Sequence, residues 1–335
     1  MKVDTGIGGL AGVADAARTA EAAGFDGVWS AETSHDPFFP LLLGAEATER
    51  LDLGTGIAVA FARNPMTLAQ TGWDLQAHSR GRFILGLGSQ IKPHITKRFS
   101  MEWSHPAPRM REMILAIRAI WDCWTNDTKL DFRGDFYQHT LMTPFFNPGP
   151  NPHGDAKIFI AGVGPLMTKV AGEVCDGFLV HPFTTDAYLR DITLPALEEG
   201  MAISGRQRGD FETSLTAFVI TGDDEESMAR NADAARGQIA FYGSTPAYRG
   251  VLDHHGWGDL QTELNALSKQ GAWTEMAGLI DDDILNTFAV VAEPDQVAAG
   301  LTERFGGLVD RMGFYFGLAG SDEVKADTVA ALKAV

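Results

Sequence analysis

Strand-like and helix-like segments alternate along almost the whole 335-residue chain, and this alternation limits the possible folds more than any other feature. Eight apolar segments have the length and composition of strands; they begin near residues 2, 26, 51, 83, 157, 176, 213 and 311. Strands that are apolar on both faces are typical of parallel sheets covered by helices. Eight such units favour a closed (β/α)8 barrel over an open, doubly wound sheet.

A barrel of this kind needs only about 250 residues, so the rest of the chain must form insertions. Irregular composition predicts insertions near residues 92–108, 126–155 and 244–285. We expect them at the carboxyl-terminal rim of one domain that spans residues 1–335. Residues 132–137 predict a surface hairpin, and apolar residues at helical spacing between 110 and 124 predict the clearest helix.

The charge of the chain excludes some partners. The formal net charge is −17, which repels nucleic-acid phosphates and anionic lipids, so we expect neither as a partner. No apolar run is long enough for a membrane helix, and the first residues lack an apolar signal core, which favours a cytoplasmic location. Cys123 and Cys175 lie in apolar helical patterns and are expected to be buried thiols. Adjacent His254 and His255 cannot share one face, so no metal site is expected.

Three of the predicted strands end in glycine-rich sequences, at residues 54–57, 86–89 and 161–165. Active sites of (β/α)8 barrels lie at the carboxyl ends of the strands. Glycine within a strand marks a bulge or a close approach of another group, so three such ends on one rim indicate a flat ligand lying across it. Glycine that merely eases barrel packing is the alternative.

The sequence Gly-Val-Gly-Pro at residues 162–165 stands between a strand and a helix. Free main-chain N–H groups and the helix dipole at such a position form a cradle for an anion, such as a cofactor phosphate. An ordinary tight connection explains the same residues equally well.

A competing motif occurs at residues 6–11, which match G-x-G-x-x-A, with Glu32 about twenty residues further on. This is formally a dinucleotide-binding fingerprint. It would leave the later glycine pairs without a role, so an open-sheet dehydrogenase is the weaker interpretation.

Taken together, these segments resemble the bacterial luciferase-like superfamily, and within it the branch that uses the deazaflavin coenzyme F420. The likeness extends over nearly the whole chain. It rests on an ordered series of short matches: GFDGVW at 24–29, ERLDLGTGI at 49–57, RNP at 63–65, GRFILGLGS at 81–89, RMRE at 109–112, AGVGP at 161–165 and EPDQV at 293–297. The resemblance implies a TIM barrel with the cofactor ring lying across its carboxyl-terminal rim.

The resemblance also implies a set of cofactor-binding residues, and a non-proline cis peptide bond between Gly56 and Ile57 behind the ring. The implied cofactor-binding residues are Gly56, Ile57, Gly86, Gly88, Ser89, Gly162, Val163 and Gly164.

Many deazaflavin relatives end the second strand with Asp-His, where this chain has Glu32 followed by Thr33. Glu32 is therefore the candidate catalytic acid or base. His35 is a candidate replacement for the missing histidine, and a solvated loop residue is the alternative. A second acid of sugar-phosphate-oxidising relatives corresponds here to Ile91, which argues against a sugar-phosphate substrate.

The implied activity is transfer of a hydride between F420 and a small organic substrate. One alternative is a monooxygenase that uses reduced FMN and oxygen, and another is a flavin-binding relative without catalysis. Relatives often pair two barrels, so a homodimer is expected. Residues 244–259 are a candidate lid over the rim. Either an apolar mouth or ordinary packing explains the aromatic residues Trp29, Phe38, Trp103, Phe183, Tyr242, Tyr248 and Trp257.

Overall fold

A closed barrel of eight parallel strands forms the centre of the computed structural model, which describes all 335 residues. The strands are β1 (Lys2–Ile7), β2 (Gly27–Ser30), β3 (Asp52–Thr55), β4 (Phe83–Gly88), β5 (Lys157–Gly162), β6 (Gly177–Val180), β7 (Glu212–Ile220) and β8 (Arg311–Phe314). Each strand pairs with the next, and Lys2 opposite Arg311 joins β1 to β8. The predicted (β/α)8 TIM barrel is confirmed, because all eight predicted strands are present and close into one ring.

Helices cover the outside of the barrel after the first six strands. They are α1 (Val13–Ala22), α2 (Phe38–Ala47), α3 (Pro65–His78), α4 (Pro106–Asn126), α5 (Pro165–Val174) and α6 (Leu194–Ser204). In α3, the Asn64 side chain accepts a hydrogen bond from the Thr67 N–H, and Pro65 occupies the first turn, as expected for this start signal. The predicted apolar face of α4 is fully buried, including Trp121 and Trp124.

A long insertion at the carboxyl-terminal rim follows β7. It consists of α7 (Glu225–Gly243), α8 (Arg249–His254), α9 (Gly258–Gln270), α10 (Trp273–Gly278) and α11 (Asp282–Phe288). The chain then forms the strand Ala289–Val291, which pairs in parallel with the end of β7. The barrel continues with α12 (Val297–Phe305), and α13 (Asp322–Lys333) ends the fold.

The prediction of irregular structure over 244–285 was therefore wrong, because this stretch is mostly helical. Three of its four helices have only six or seven residues, too few to show a clear apolar period. Their buried residues, among them Leu252, Leu264 and Met276, share a second apolar core with Ile239 of α7. The proposed lid segment 244–259 includes α8, whose Val251 and Leu252 are buried in that core.

The predicted position of the 126–155 insertion needs a correction. This segment connects the end of α4 to the start of β5, so it begins and ends at the amino-terminal end of the barrel, not at the carboxyl-terminal rim. The predicted hairpin is present, with Phe132–Arg133 antiparallel to Gln138–His139. It folds back along α4, because the Glu112 carboxylate accepts hydrogen bonds from the main-chain N–H groups of residues 135–137. The segment 92–108 follows β4 and lies at the rim, as expected.

An ionic network fills the amino-terminal end of the barrel. The guanidinium group of Arg311 is fully buried and donates to both oxygens of Asp4, at 2.7 and 2.8 Å. It also pairs with Asp52 at 2.7 Å and with Glu212 at 3.0 Å. Burial alone would raise the pKa of Glu212, but hydrogen bonds and charges from Lys157, Lys2 and Arg311 lower it to about 2.

The cysteines lie in the protein interior. Both cysteines are free and buried, as predicted, and burial raises the pKa of the Cys123 and Cys175 thiols. None of the helices has both the length and the apolar surface that crossing a membrane requires.

Candidate active site

Trp29 forms the floor of the carboxyl-terminal opening of the barrel, which we call the mouth. Its Nε1 donates to the Asp4 carboxylate at 2.9 Å inside the barrel, and its ring centre lies 6.0 Å from that of Phe159. A side chain at Gly54 on the neighbouring strand would overlap the Trp29 ring. Glycine at position 54 is therefore required by the packing of this floor.

A bulge after β3 forms one side of the mouth. The peptide bond between Gly56 and Ile57 is cis, as the family resemblance implied. The Thr55 hydroxyl accepts from the Gly86 N–H at 2.8 Å and donates to the Gly86 carbonyl at 2.7 Å. On the other side, the Glu32 N–H donates to the Ile57 carbonyl at 3.0 Å. Hydrogen bonds from two neighbouring segments thus fix the bulge in place.

The carboxylate of Glu32, the predicted catalytic acid or base, is 7% exposed and is engaged within the protein. Its Oε2 accepts from Arg63 Nη1 at 2.6 Å and from the Val59 N–H at 2.7 Å. Arg63 also pairs with Asp36 at 3.1 Å. These contacts explain how Glu32 holds the chain after the bulge, whereas its role in proton transfer stays a prediction.

The other predicted polar residues make few contacts. His35 is exposed in the loop after β2 and forms neither a hydrogen bond nor an ion pair in this structure. The Ser89 hydroxyl donates to the Gln90 carbonyl at 3.2 Å. The structure therefore joins His35 to Glu32 by neither a hydrogen bond nor an ion pair.

Three of the predicted cofactor-binding glycines, Gly86, Gly88 and Gly162, are closely packed against protein atoms. A Cβ at these positions would meet, respectively, the Thr55 carbonyl oxygen, Ile57 at 2.8 Å and Met167 at 2.9 Å. Packing alone accounts for glycine at these three positions, which was the alternative explanation at the sequence level. Their contact with a cofactor stays a prediction.

Gly164 differs from these three, because a Cβ there would meet open space. It precedes α5, and no side chain caps this helix. The N–H groups of Val163 and Gly164 have no acceptor within the chain. Free N–H groups at the start of a ten-residue helix fit an oxyanion such as a phosphate. These residues, together with Gly162, could hold a phosphorylated cofactor.

A cluster of aromatic rings surrounds His181, a residue that sequence reasoning did not assign to the site. His181 directly follows β6, and its ring centre lies 4.6 Å from that of Tyr242 and 4.7 Å from that of Tyr248. The Tyr242 and Tyr315 hydroxyls are hydrogen-bonded at 2.7 Å. Burial lowers the pKa of His181 to about 4 and raises that of Tyr242.

A sequence signal for His181 was available, because polar residues that directly follow a barrel strand are candidates for the site. Tyr242 and Tyr248 were among the seven candidate mouth aromatics, and both pack against His181. Phe38 and Phe183 are instead buried in packing. Trp103 packs against Phe61, and Trp257 stacks on His255.

Comparison with known proteins agrees with this architecture. An uncharacterized protein of Mycobacterium tuberculosis strain H37Rv is 57% identical over 313 residues, which cover 93% of this chain and 92% of that protein. A 5,10-methylenetetrahydromethanopterin reductase of Archaeoglobus fulgidus is 27% identical, covering 85% and 83% of the two chains.

Among solved structures, a coenzyme F420-dependent tetrahydromethanopterin reductase from Methanopyrus kandleri has the same fold. It superposes with a TM-score of 0.77 at 20% identity and covers 98% of this chain and 97% of that chain. The sequence profile of the family described as luciferase-like monooxygenase matches residues 2–311. The chain therefore belongs to the luciferase-like monooxygenase family.

Proposed function

We propose that this protein is an F420-dependent oxidoreductase that transfers a hydride between the deazaflavin and a small organic substrate. The observation that carries the proposal is the combination, at one mouth, of the bulge at residues 56–57, held by Thr55 and Glu32, and the free N–H groups that precede α5. Two of the similar proteins are named as reductases, and one of these is named for coenzyme F420, which supports the choice of cofactor.

Different residues at the mouth would bind the cofactor, exclude water and support the ring. The N–H groups of Val163 and Gly164 would hold the cofactor phosphate, without the help of a lysine or arginine. Trp29 packs across the barrel interior beneath the mouth and would limit the access of water from below. Glu32 and Thr55 hold the bulge against which the ring would lie. When bound, the cofactor would supply the hydride chemistry, and the protein would supply orientation and exclusion of water.

A monooxygenase that uses reduced FMN and oxygen is the second candidate, because the family description names that activity. FMN also carries a phosphate, so the same loop would serve both cofactors. Titration of the purified protein with F420 and with FMN, followed by fluorescence quenching, separates the two. We expect tight binding of F420 and weak binding of FMN, and the opposite result would overturn the proposal.

A substitution tests the phosphate cradle directly. Gly164→Asp places a carboxylate where a Cβ meets open space, so the fold should be preserved while the phosphate is repelled. We expect affinity for F420 to fall at least about tenfold, or about 1.4 kcal/mol. The matched control is Gly209→Asp, at another open position in the turn Arg208–Asp210 before β7. Equal affinities of the two variants would contradict this role of the loop.

A further inference from the structure

The residues predicted for acid–base chemistry do not provide a fixed hydrogen-bond donor at the mouth. Glu32 binds Arg63 and the Val59 N–H through the same oxygen, and a carboxylate in such contacts is an acceptor. His35 is exposed and makes no contact that would hold its ring in one orientation. A substrate oxygen that becomes negatively charged during hydride transfer therefore needs another partner.

His181 occupies a suitable position. Side chains alternate along β6, and the positions that face the barrel interior are Gly177, against Phe159, and Leu179, against Gly86. His181 is the next residue in this alternation and lies one step beyond the strand end. Its ring therefore lies above the interior of the barrel, at the mouth, where it is half-buried.

The hydrogen bonding of His181 determines which ring nitrogen carries the proton. Nδ1 accepts from the Phe183 N–H at 3.1 Å, so a neutral ring must carry its proton on Nε2. Nε2 has no partner in the chain, and it is not among the side-chain atoms that are buried without a partner. The donor is thus unused and accessible from outside the protein.

The surroundings of the ring keep it neutral and in place. Desolvation lowers the pKa of His181 to about 4, so the ring is uncharged at neutral pH. Tyr242 and Tyr248 pack against its faces and edges. The Tyr242 and Tyr315 hydroxyls are bonded to each other and share one proton between them, whereas the His181 Nε2–H has no acceptor in the chain.

We propose that His181 donates a hydrogen bond from Nε2 to the oxygen of the substrate, and that this substrate is a ketone or secondary alcohol with apolar substituents. The inference rests on the proposed function. The N–H orients the oxygen, and the bond strengthens as negative charge develops there, in the way that a neutral imidazole polarises a carbonyl. No proton leaves the imidazole: the hydride of reduced F420 would add to the carbonyl carbon, the alkoxide oxygen would take its proton from water at the open mouth, and oxidation of the alcohol would run in reverse. Tyr242 and Tyr248 contact the apolar substituents.

The experiment compares wild-type protein with His181→Gln and His181→Leu. Glutamine keeps an N–H donor near the position of Nε2, whereas leucine fills similar space without one. Each protein is first titrated with F420 alone, and then, saturated with F420, with acetone, cyclohexanone and acetophenone as probes. His78→Gln, at the end of α3, is the control for loss of a histidine elsewhere.

We expect F420 to bind all four proteins equally. We expect ketone affinity to stay within about threefold of wild type in His181→Gln and to fall about tenfold in His181→Leu, since one hydrogen bond is lost. Nitrogen-15 spectra of the histidine rings, recorded without cofactor at neutral pH, should show His181 neutral and protonated on Nε2. They should also show this nitrogen shifting when a ketone binds.

The possible outcomes separate the two proposals. Failure of the wild-type protein to bind F420 would overturn the proposed function. Normal F420 binding with unchanged ketone affinity in His181→Leu would overturn the role of His181 and leave the function standing. A ring protonated on Nδ1 would also overturn this role. Binding of none of the three ketones to the F420-loaded wild type would overturn the assigned substrate class.

Discussion

Glu32 and Arg63 form a partly buried ion pair whose carboxylate also accepts a main-chain N–H. Removing one member of such a pair leaves a charge without its partner, and this usually costs more than removing both. The residue that the family resemblance marked as a proton donor or acceptor is therefore also a structural element of the loop that carries the bulge.

The first prediction concerns this pair. Arg63→Met should destabilise the protein by about 2 kcal/mol, because the Glu32 carboxylate keeps only the Val59 N–H. Adding Glu32→Gln should recover a large part of that loss, since the amide needs no cation. Urea unfolding of the two single variants and the double variant gives the coupling energy. Additive effects of the two substitutions would show that the pair contributes nothing to stability.

For single residues, the sequence indicated which positions are unusual but not which neighbouring atoms make them so. Glycine at 86, 88 and 162 was recognised as unusual, but a single sequence could not show what approaches each one. The structure places the Thr55 carbonyl, Ile57 and Met167 there. His181 was visible as the residue after a strand, yet its importance depends on Tyr242 and Tyr248, which come from a distant segment.

Among the elements, the bulge after β3 depends on one hydroxyl group. Thr55 both accepts from and donates to the main chain of Gly86, so its side chain replaces part of the ladder between β3 and β4. The family resemblance indicated the cis bond itself. It did not indicate that Thr55 ties the bulge to the neighbouring strand, because Thr55 and Gly86 are 31 residues apart.

The second prediction tests this connection. Thr55→Val keeps the shape but leaves the Gly86 N–H and carbonyl without their buried partner, so the protein should lose about 2–3 kcal/mol of stability. Thr55→Ser retains the hydroxyl and serves as the control, with a loss below about 1.5 kcal/mol from the missing methyl group. Chemical denaturation measures both. If the two variants are equally stable, the hydroxyl does not hold the bulge.

The elements of the rim insertion were the least predictable from sequence. The sequence predicted that the last insertion begins at residue 244, which left the segment of α7 outside it, because the length and spacing of this helix are ordinary. Its true position is revealed by the strand Ala289–Val291, which returns to the end of β7. The order of pairing, which no local pattern records, assigns α7 to the insertion and α12 to the barrel.

For the molecule as a whole, the eight strands and the barrel were predicted correctly because the alternation of apolar segments is a property of the entire chain. The ionic network at the amino-terminal end was not predicted. Its members are spread from Lys2 to Arg311, and each one alone has the appearance of a charge at the edge of a strand.

The third prediction is a pH dependence that arises from this network. An unfolded glutamate has a pKa near 4.3, and that of Glu212 in the folded protein is about 2. The folded state therefore binds the proton less readily, and the stabilisation is complete above about pH 5 and lost as the pH falls toward 2. The difference corresponds to about 3 kcal/mol.

Glu212→Gln should accordingly be less stable than wild type at pH 7, by about 2–3 kcal/mol, and should lose less stability between pH 5 and 2. Urea unfolding at several pH values measures the two slopes. Glu226→Gln, which removes an exposed member of a surface pair, is the control and should follow the wild-type curve. Parallel curves for wild type and Glu212→Gln would contradict the prediction.

The charged residues around Arg311 also determine how ligands can reach the interior of the barrel. Buried charges close the amino-terminal end of the barrel, and Trp29 lies above them. Ligands therefore bind and leave through the mouth alone. When two ligands bind through the same opening, the one that lies deeper must bind first and dissociate last. Under the proposed function, cofactor and substrate would therefore bind in a fixed order, which product-inhibition kinetics would reveal.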